Sequence, residues 1–351
     1  MRVALIFGGR SPEHSVSIVS GSSIARALDP DRYEVVPMAI DRSGRWADRD
    51  VAASVLDMAV SRPDEVPVFE GRHSLDPRLL DGSVDIAFPA LHGSYGEDGT
   101  IQGLFEMLNL PYVGCGVAAS AVCIDKALTK RLLVEAGLPT APWIELNVRE
   151  RQTGFESVLD RCKPLGLPLF VKPVRLGSSV GISKVTAWPG LESALDRALA
   201  YDSRVIVERA IDGREIEVGV LGNEDPRASV PGEIVPGHEF YDFADKYLDE
   251  ACTLLAPAPL GERDATKAQL LAVAAYRALG CAGMARVDLF LERDGGRFLV
   301  NEVNTIPGFT PISMYPHLWA LSGLTYPALL DRLIDLAQAR HAARLKLRLD
   351  S

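Results

Sequence analysis

The sequence predicts an α/β protein whose amino-terminal part is an open, parallel sheet. Three short apolar runs, at residues 3–7, 33–40 and 84–88, have the length and residue types of buried strands. A Gly-Gly-Arg-Ser turn follows the first run, and the pattern beyond it, to about residue 28, is helical. Alternation of strands and helices is typical of parallel sheets covered by helices. A further strand is predicted to begin at residues 111–113. We therefore predict an open α/β domain over residues 1–120.

The composition is that of an ordinary globular protein and argues against nucleic acid as a partner. Of the 351 residues, 47% are hydrophobic and 24% are charged, which is enough for two or three domains with apolar cores. The net charge of -10 disfavours binding to a nucleic-acid backbone, which requires a basic surface. The longest uncharged stretch, residues 107–124, contains Asn109, Pro111 and glycines, so we expect no membrane span there.

The cysteines predict a reducing compartment. They are odd in number, scattered and without a CxxC pair, which disfavours a disulfide framework or a structural zinc site. Their positions are Cys115, Cys123, Cys162, Cys252 and Cys281. The five apolar residues before the first glycines are too few for a secretory signal core. We expect a cytoplasmic protein.

Two loops of the first domain carry polar residues where open α/β sheets bind ligands. The first begins as a GxGxxG motif but has Pro12 and Glu13 instead of the third glycine, which disfavours an NAD-dependent dehydrogenase. Glu13 can either meet a ligand or complement the helix dipole, and the local pattern leaves both open. The second loop, HGSYGEDG, begins at His92 after the third strand and combines a histidine, two acids and three glycines.

A glycine- and serine-rich hairpin follows Lys172, which ends an apolar strand. Its sequence, RLGSSVG, offers backbone N–H and hydroxyl groups that can cover phosphates, although such hairpins are also ordinary turns. The chain contains no Gly-Lys-Ser or Gly-Lys-Thr, so this is not a Walker loop. In the helix predicted at residues 125–136, the pattern alone indicates solvent-exposed lysines at Lys126 and Lys130.

A strand at residues 204–209 ends in Glu208, and the next run places Glu215 and Glu217 on one face. Backbone groups at such a strand exit commonly hold adenine, with a carboxylate accepting the ribose hydroxyls. The following segment, residues 231–260, is too long for a plain connection, and its aromatic residues favour a lid over disorder.

Two apolar runs near the carboxyl end flank an Asp-Gly-Gly turn and predict a hairpin. Arg286 and Asp288 are two residues apart on the first strand, as are Glu302 and Asn304 on the second, so each pair shares a face. Acids on adjacent strands are usually a solvated surface, but the alternating apolar residues around these favour a site. Hard oxygen ligands beside a guanidinium indicate a magnesium-nucleotide site.

Six motifs, in order along the chain, resemble those of the D-alanine:D-alanine ligase family in the ATP-grasp superfamily. They are GGRSPEHSVS, HGSYGEDG, KPVRLGSSVG, EFYDFADKY, ARVD and NEVNTIPGFTPIS. The resemblance covers about residues 3–335. It implies three parts: the open α/β domain at 1–120, a central subdomain with the glycine-serine loop at 121–210, and a subdomain with the lid and metal site at 211–351. The last two would form an α+β ATP-grasp fold that holds ATP between two sheets.

The resemblance also implies an activity. Two D-alanine molecules would be joined at the expense of ATP through a D-alanyl phosphate, giving ADP and phosphate, in peptidoglycan synthesis for the cell wall and cell shape. The alternative is a related ligase with D-lactate, D-serine or another D-amino-acid analogue as second substrate. A binding module without catalysis is disfavoured because the implied metal ligands are all present. The family suggests a homodimer.

The resemblance implies a role for each residue of this chain that matches a residue of the family motifs. The residues implied to bind ATP are Lys126 and Lys172 at the phosphates, Glu208, Arg209 and Ile211 at the adenine, and Glu215 at the ribose. Those implied to bind two magnesium or manganese ions are Asp288, Glu302 and Asn304. Those implied to bind D-alanine are Glu13 and His92 for the first molecule, and Lys246, Ser313 and Met314 for the second. Those implied to act in catalysis are Glu13, Ser178 and Tyr247, which would be linked to one another, and Arg286 with the Gly308 N–H as an oxyanion site.

Two of these positions bear on the second substrate. Tyr247 is the residue expected of dipeptide-forming members, whereas ester-forming relatives tend to have phenylalanine or a different loop, so it favours D-alanine. Met314 stands where many relatives have leucine, a volume-conserving change that should matter little.

Overall fold

The computed structural model describes residues 1–61, 66–177, 179–235 and 253–347. Ser178, Lys246 and Tyr247 lie outside the described residues, as does most of the predicted lid. The described strands form three sheets. No helix within the described ranges is both long enough and apolar enough to span a bilayer.

The first sheet is parallel, as predicted, and its strand order is β2-β1-β3. Its elements are β1 (Arg2–Gly8), α1 (His14–Ala27), β2 (Glu34–Ile40), α2 (Arg49–Ser61), β3 (Ile86–Pro89) and α3 (Thr100–Met107). Alternate residues of β1, among them Leu5 and Phe7, pack with Ile18 and Ile24 of α1 in one core. The helix dipole and the polar loops therefore lie at the carboxyl edge of the sheet, where β1 and β3 end.

The strand predicted at residues 111–113 is not formed. Tyr112 makes a single parallel bridge to Ala87, whose N–H and carbonyl pair with the carbonyl of Pro111 and the N–H of Val113. The backbone then turns away at Gly114, where φ is +98°. Because this left-handed conformation follows at once, the segment cannot continue along the sheet edge.

The second sheet is antiparallel, in the order β4-β7-β5-β6. Its elements and those that lead into it are α4 (Val117–Ile124), α5 (Lys126–Glu135), β4 (Trp143–Asn147), α6 (Val148–Thr153), α7 (Phe155–Cys162), β5 (Leu169–Pro173), β6 (Ser183–Val185), α8 (Leu191–Leu199) and β7 (Arg204–Arg209). Helices α7 and α8 bury one face through Val158, Leu191 and Leu195. The opposite face, which carries Lys172 and Glu208, is left to face the third sheet.

The third sheet is antiparallel, in the order β11-β10-β8-β12-β13, with β9 paired to β8. Its elements are β8 (Gly213–Gly222), β9 (Arg227–Ala228), β10 (Gly232–Val235), β11 (Thr253–Leu255), α9 (Glu262–Ala278), β12 (Gly283–Glu292) and β13 (Phe298–Asn304), followed by α10 (Met314–Leu321) and α11 (Tyr326–Leu345). Helix α9 covers one face through Ala268, Ala272 and Tyr276. The predicted hairpin is therefore confirmed as β12 and β13.

The last helix returns to the first sheet. Leu329, Leu330 and Leu333 of α11 share a core with Val3 and Leu5 of β1. This packing joins the two ends of the described chain through one apolar cluster. It brings the loops of the first sheet next to the residues that follow β13.

Candidate active site

A cleft of about 1080 Å³ is lined by residues of the second and third sheets and by loops of the first. Every predicted site residue within the described ranges lies along it. These are Glu13, His92, Lys126, Lys172, Glu208, Arg209, Ile211, Glu215, Arg286, Asp288, Glu302, Asn304, Gly308, Ser313 and Met314. Residues as far apart in the sequence as Glu13 and Met314 thus share one cavity with both basic and acidic walls.

The hairpin brings its polar residues into register across the two strands. Arg286 pairs with Asn304, and Asp288 pairs with Glu302. A β-bulge follows: the next pair is Leu289 with Val300, so Asn301 is the extra residue. In a regular strand Val300 would share a face with Glu302, but the bulge returns Val300 to the core and leaves Glu302 on the cleft wall.

Arg286 is held by two carboxylates, one on its own strand β12 and one on the adjacent strand β8. Its Nε and Nη2 lie 2.7 and 2.8 Å from the two oxygens of Asp288, and Nε is also 3.2 Å from Glu217 Oε1. Burial alone would lower the pKa of Arg286, but Asp288 and Glu217 raise it well above its usual value. The guanidinium is therefore a permanent positive charge in the cleft. Its orientation is fixed by the bidentate contact with Asp288.

Asp288, Glu302 and Asn304 provide hard oxygen atoms on one wall. Asn304 Nδ2 donates to Asp288 Oδ2 at 2.9 Å, which leaves the amide oxygen as an acceptor. Within the described ranges no three His, Cys, Asp or Glu side chains cluster closely enough to hold a metal ion by themselves. Two carboxylates and an amide suit magnesium, which commonly takes one or two carboxylates and completes its shell with phosphate and water oxygens.

Two lysines share one buried carboxylate on the opposite wall. Glu208 Oε1 is 2.7 Å from Lys130 Nζ, and Oε2 is 2.6 Å from Lys172 Nζ. Burial opposes the charge of Glu208, yet the two ammonium groups lower its pKa to about 2. Lys130 is only 1% exposed, so the expectation of a solvated lysine is wrong. Its helix position suggested solvent because the acid that pairs with it is 78 residues away.

Lys126 begins α5 and contacts the glycine-serine hairpin. Its Nζ donates to the carbonyl of Leu176, and its backbone N–H donates to the carbonyl of Val174 at 3.1 Å. Asp125 caps the helix by accepting from the Leu128 N–H at 3.0 Å, and it is braced by Arg204 at 2.8 Å. Lys126 is therefore half-buried at the cleft wall, not on the solvent side of its helix.

Glu13 is the N-cap residue of α1, and it also lines the cleft. Its side chain makes no capping bond at the start of α1. Side-chain carbons built at Gly93 and Gly177 would lie 2.8 and 3.5 Å from Glu13 Oε2, so both loops approach the carboxylate closely. Glu13 therefore lies both at the start of α1 and on the cleft wall, and its contact with a ligand stays a prediction.

His92 joins the first sheet to the turn after β13. Its Nδ1 lies 3.1 Å from the carbonyl of Ile306, and since a carbonyl only accepts, Nδ1 carries the proton. Its Nε2 then accepts from the Ser20 hydroxyl at 2.9 Å, and Ser20 Oγ receives the Phe309 N–H at 3.4 Å. Burial lowers the pKa of His92, which favours this neutral form. Ser20 was not predicted, because nothing in the local sequence marks it.

Glu97 is a second residue of the cleft for which the sequence predicted no role. One carboxylate oxygen accepts from the Gly93 N–H at 2.8 Å and the other from the Ile306 N–H at 3.2 Å. Burial, with the nearby Glu13 carboxylate, raises the pKa of Glu97 from 4.5 to about 8. Its place in the HGSYGEDG motif was the available signal. The residue clamps the turn that leads to Gly308.

Gly308 lies against Ser313, where there is no room for a side chain. A carbon built at Gly308 would be 2.6 Å from Ser313 Oγ. Ser313 Oγ accepts the Thr310 N–H at 2.9 Å, which holds the turn. Met314 is buried with Ile234 and Leu318 beside this turn and contributes to the cleft wall.

Comparison with known proteins agrees with this geometry. A family model described as D-ala D-ala ligase N-terminus matches residues 2–115, and one described as D-ala D-ala ligase C-terminus matches residues 132–335. A D-alanine--D-alanine ligase from Chlorobium phaeovibrioides is 47% identical over 349 residues, covering 95% of this chain and 96% of that protein. One from Streptomyces griseus is 46% identical, covering 97% and 93%.

Solved structures show the same fold. The D-alanine-D-alanine ligase from Coxiella burnetii superposes with a TM-score of 0.80 at 38% identity, over 99% of this chain and 96% of that one. A D-Ala:D-Ser ligase from Enterococcus faecalis gives a TM-score of 0.81 at 34% identity, over 96% and 99%. Together with these matches, the two antiparallel sheets facing a cleft lined by lysines and carboxylates place the chain among ATP-binding ligases of the ATP-grasp class. The chain belongs to the D-alanine–D-alanine ligase family.

Proposed function

We propose that the protein joins two D-alanine molecules to D-alanyl-D-alanine at the expense of ATP. A carboxylate oxygen of the first D-alanine attacks the γ-phosphorus, ADP leaves, and a D-alanyl phosphate forms. The amine of the second D-alanine then attacks the acyl carbon, loses a proton, and phosphate leaves. The observation that carries this proposal is the shared cleft. In it, Lys126 and Lys172 line the same cavity as the carboxylate and guanidinium groups of the β12–β13 hairpin.

The nucleotide would lie between the second and third sheets. Lys126 and Lys172 would neutralise its phosphates, and Glu215 would accept the ribose hydroxyls. Backbone groups near Arg209 and Ile211 would hold the adenine at the exit of β7, where Glu208 is committed to two lysines. Asp288, Glu302 and Asn304 would hold two magnesium or manganese ions, which supply charge neutralisation at the transferring phosphoryl group.

The first D-alanine and the tetrahedral intermediate would bind around the turn after β13. Glu13, with the neutral His92 behind it, would receive the ammonium group. Arg286 and the Gly308 N–H would stabilise the oxyanion, because a fixed guanidinium and a backbone donor aimed at developing charge lower the barrier. The bidentate contact of Arg286 with Asp288 keeps that donor oriented before substrate arrives.

The second D-alanine would bind beside Ser313 and Met314. The names of the curated relatives support D-alanine as the acceptor, while the Enterococcus faecalis neighbour shows that the same fold is compatible with D-serine. Ser178, Lys246 and Tyr247 are proposed to complete the site on the strength of the family motifs alone. The three-part division at 1–120, 121–210 and 211–351 is proposed because each part contains one sheet.

The cellular setting follows from the proposed product. D-alanyl-D-alanine is a building block of peptidoglycan, so we propose a role in cell wall synthesis and cell shape in the cytoplasm. A homodimer is proposed from the family.

The test is phosphate release from Mg-ATP with D-alanine, L-alanine, D-lactate and D-serine, offered singly and in pairs with D-alanine. Release matched by D-alanyl-D-alanine formation, and none with L-alanine, is the expected result. A strong preference for a mixed pair at neutral pH would replace the second substrate while keeping the mechanism. Failure to release phosphate with any pair would contradict the proposal.

A further inference from the structure

Lys130 is a buried lysine that the proposed reaction does not use. It belongs to α5, is 1% exposed, and is not among the residues that line the cleft. Its Nζ contacts Glu208 Oε1 at 2.7 Å and donates to Thr140 Oγ1 at 2.8 Å. Thr140 in turn donates to the carbonyl of Val300 at 2.9 Å. The ammonium is thus tied to the second sheet on one side and, through Thr140, to the third sheet on the other.

The charges around Glu208 determine how Lys172 presents itself to the cleft. Lys172 reaches Glu208 Oε2 at 2.6 Å and lines the cleft, whereas Lys130 lies behind Glu208. If Glu208 faced Lys172 alone, that pair would be neutral and would attract an anion only weakly. With Lys130 included, the three side chains carry a net charge of about +1, and that charge is exposed to the cleft through Lys172. The carboxylates of Glu215 and Glu302 also interact electrostatically with Lys172 and offset part of its positive charge. The additional positive charge of Lys130 therefore matters more for attracting an anion.

We propose that Lys130 is a positioning residue for nucleotide binding: it neutralises Glu208, so that the charge of Lys172 remains available to the phosphates of ATP. The inference rests on the proposed function in taking ATP as the anion. It assigns a role in substrate affinity to a side chain that does not reach the cleft surface. It also explains why a lysine is buried on a helix face where an apolar residue would cost less to desolvate.

The experiment measures the Kd of ATP and of adenosine by calorimetry, without D-alanine, for four proteins besides the wild type. They are Lys130→Met, Glu208→Gln, the double variant Lys130→Met/Glu208→Gln, and the control Lys163→Met. Lys163 makes a comparable 2.7 Å contact with Asp160, but its side chain is 53% exposed and lies outside the cleft. Adenosine lacks phosphates, so it separates a charge effect from damage to the adenine pocket.

We expect Lys130→Met to weaken ATP binding by about 10-fold or more, with adenosine affinity and the control unchanged. The double variant restores the net charge to about +1, so its ATP affinity relative to its adenosine affinity should recover most of what Lys130→Met loses. In Lys130→Met, Glu208 still pairs with Lys172, so no buried charge is left alone and the fold should persist, which thermal unfolding checks.

Unchanged ATP affinity in Lys130→Met, equal losses for ATP and adenosine, or a double variant whose ATP affinity relative to adenosine affinity does not recover would each overturn the inference. Those outcomes would leave the proposed function intact as long as the wild type binds ATP. Absence of ATP binding by the wild type would instead contradict the proposed function itself, and the inference with it.

Discussion

At the scale of single residues, side chains on the cleft walls are fixed by partners that the chain supplies from elsewhere. Arg286 forms ion pairs with Asp288 and Glu217, and the Glu97 carboxyl group accepts hydrogen bonds from two backbone N–H groups. Such contacts cost little reorganisation when substrate binds, because the groups already have their final orientation. The side chains that we propose to contact substrate are therefore oriented by neighbouring residues.

Arg286→Lys is expected to lower D-alanyl-D-alanine formation by about 10²- to 10³-fold. Lysine keeps the charge but cannot form the bidentate contact with Asp288, so the donor to the oxyanion loses its orientation. Steady-state kinetics measure the effect. The matched control is Arg297→Lys on the same hairpin, whose side chain pairs with Glu292 but is 59% exposed. Equal rates in both variants would argue against the oxyanion role of Arg286.

Glu97 predicts a pH dependence of stability. Because its pKa rises from 4.5 to about 8 on folding, the native state holds a proton that the unfolded chain releases between these values. The stability that Glu97 contributes is therefore fully present below about pH 4.5 and is lost as pH rises through about 8. Glu97→Gln cannot titrate, so the wild-type free energy of unfolding minus that of the variant should fall across this window.

Urea unfolding of both proteins at about pH 5 and about pH 8.5 measures that difference. The subtraction removes the contributions of other titrating groups, including His92, which both proteins share. Curves that stay parallel from the lower to the higher pH would show that Glu97 does not hold its proton through neutral pH.

At the scale of elements, the bulge in β13 and the turn after it shape the functional wall. The extra residue, Asn301, changes which side chains face the cleft, and the turn continues into Gly308. This turn is held at both ends: Glu97 and His92 contact Ile306, and Ser313 holds Thr310. A strand that ends in a clamped turn presents backbone N–H groups in a fixed direction.

Gly308→Ala tests that turn. Its new carbon would meet Ser313 Oγ at 2.6 Å, so either the turn or Ser313 moves, and we expect activity to fall by about 10-fold or more through a higher KM for D-alanine. The control is Gly103→Ala in α3, where a side-chain carbon meets nothing within 4 Å and alanine favours the helix. Kinetics and thermal unfolding of both variants make the comparison. A Gly308→Ala protein with normal KM would exclude a tight fit at this turn.

At the scale of the whole molecule, the first sheet supports a site that is built mainly on the other two. Helix α11 packs its leucines against β1, and Ser20 and His92 contact the turn after β13 directly. The first part of the chain therefore orients the carboxyl end of the hairpin through both apolar packing and hydrogen bonds. Family membership over nearly the full length is consistent with this interdependence.

Ser20→Ala is predicted to weaken the link between the first sheet and the turn. Removing the hydroxyl leaves His92 Nε2 and the Phe309 N–H without this partner, at a cost of about 1–3 kcal/mol in the free energy of unfolding. We also expect a higher KM for D-alanine. Ser22→Ala is the control, since Ser22 Oγ donates only to the Val19 carbonyl within the same helix.

Urea unfolding and steady-state kinetics on both serine variants decide the point. If Ser20→Ala and Ser22→Ala have the same free energy of unfolding and the same KM for D-alanine, the hydrogen bonds of Ser20 do not stabilise the turn after β13.

The parallel first sheet, the β12–β13 hairpin and the family could all be predicted from the amino-acid sequence. Those depend on local periodicity, turn residues and ordered motifs, all of which are visible along the chain. The shared faces of Arg286 with Asp288, and of Glu302 with Asn304, followed from strand geometry alone. The bulge in β13 could not be predicted from strand geometry, because it depends on which valines of the strand pack in the core.

Three features could not be predicted from local patterns: the burial of Lys130, the hydrogen bonds through Ser20 and the failure of residues 111–113 to form a strand. Each depends on a partner distant in sequence or on a turn conformation: Lys130 on Glu208, Ser20 on His92, and the last on Gly114. A helical lysine or a serine has the same local pattern whether it meets solvent or a buried acceptor. The burial of a polar group depends on what packs against it, and a local sequence pattern does not contain that information.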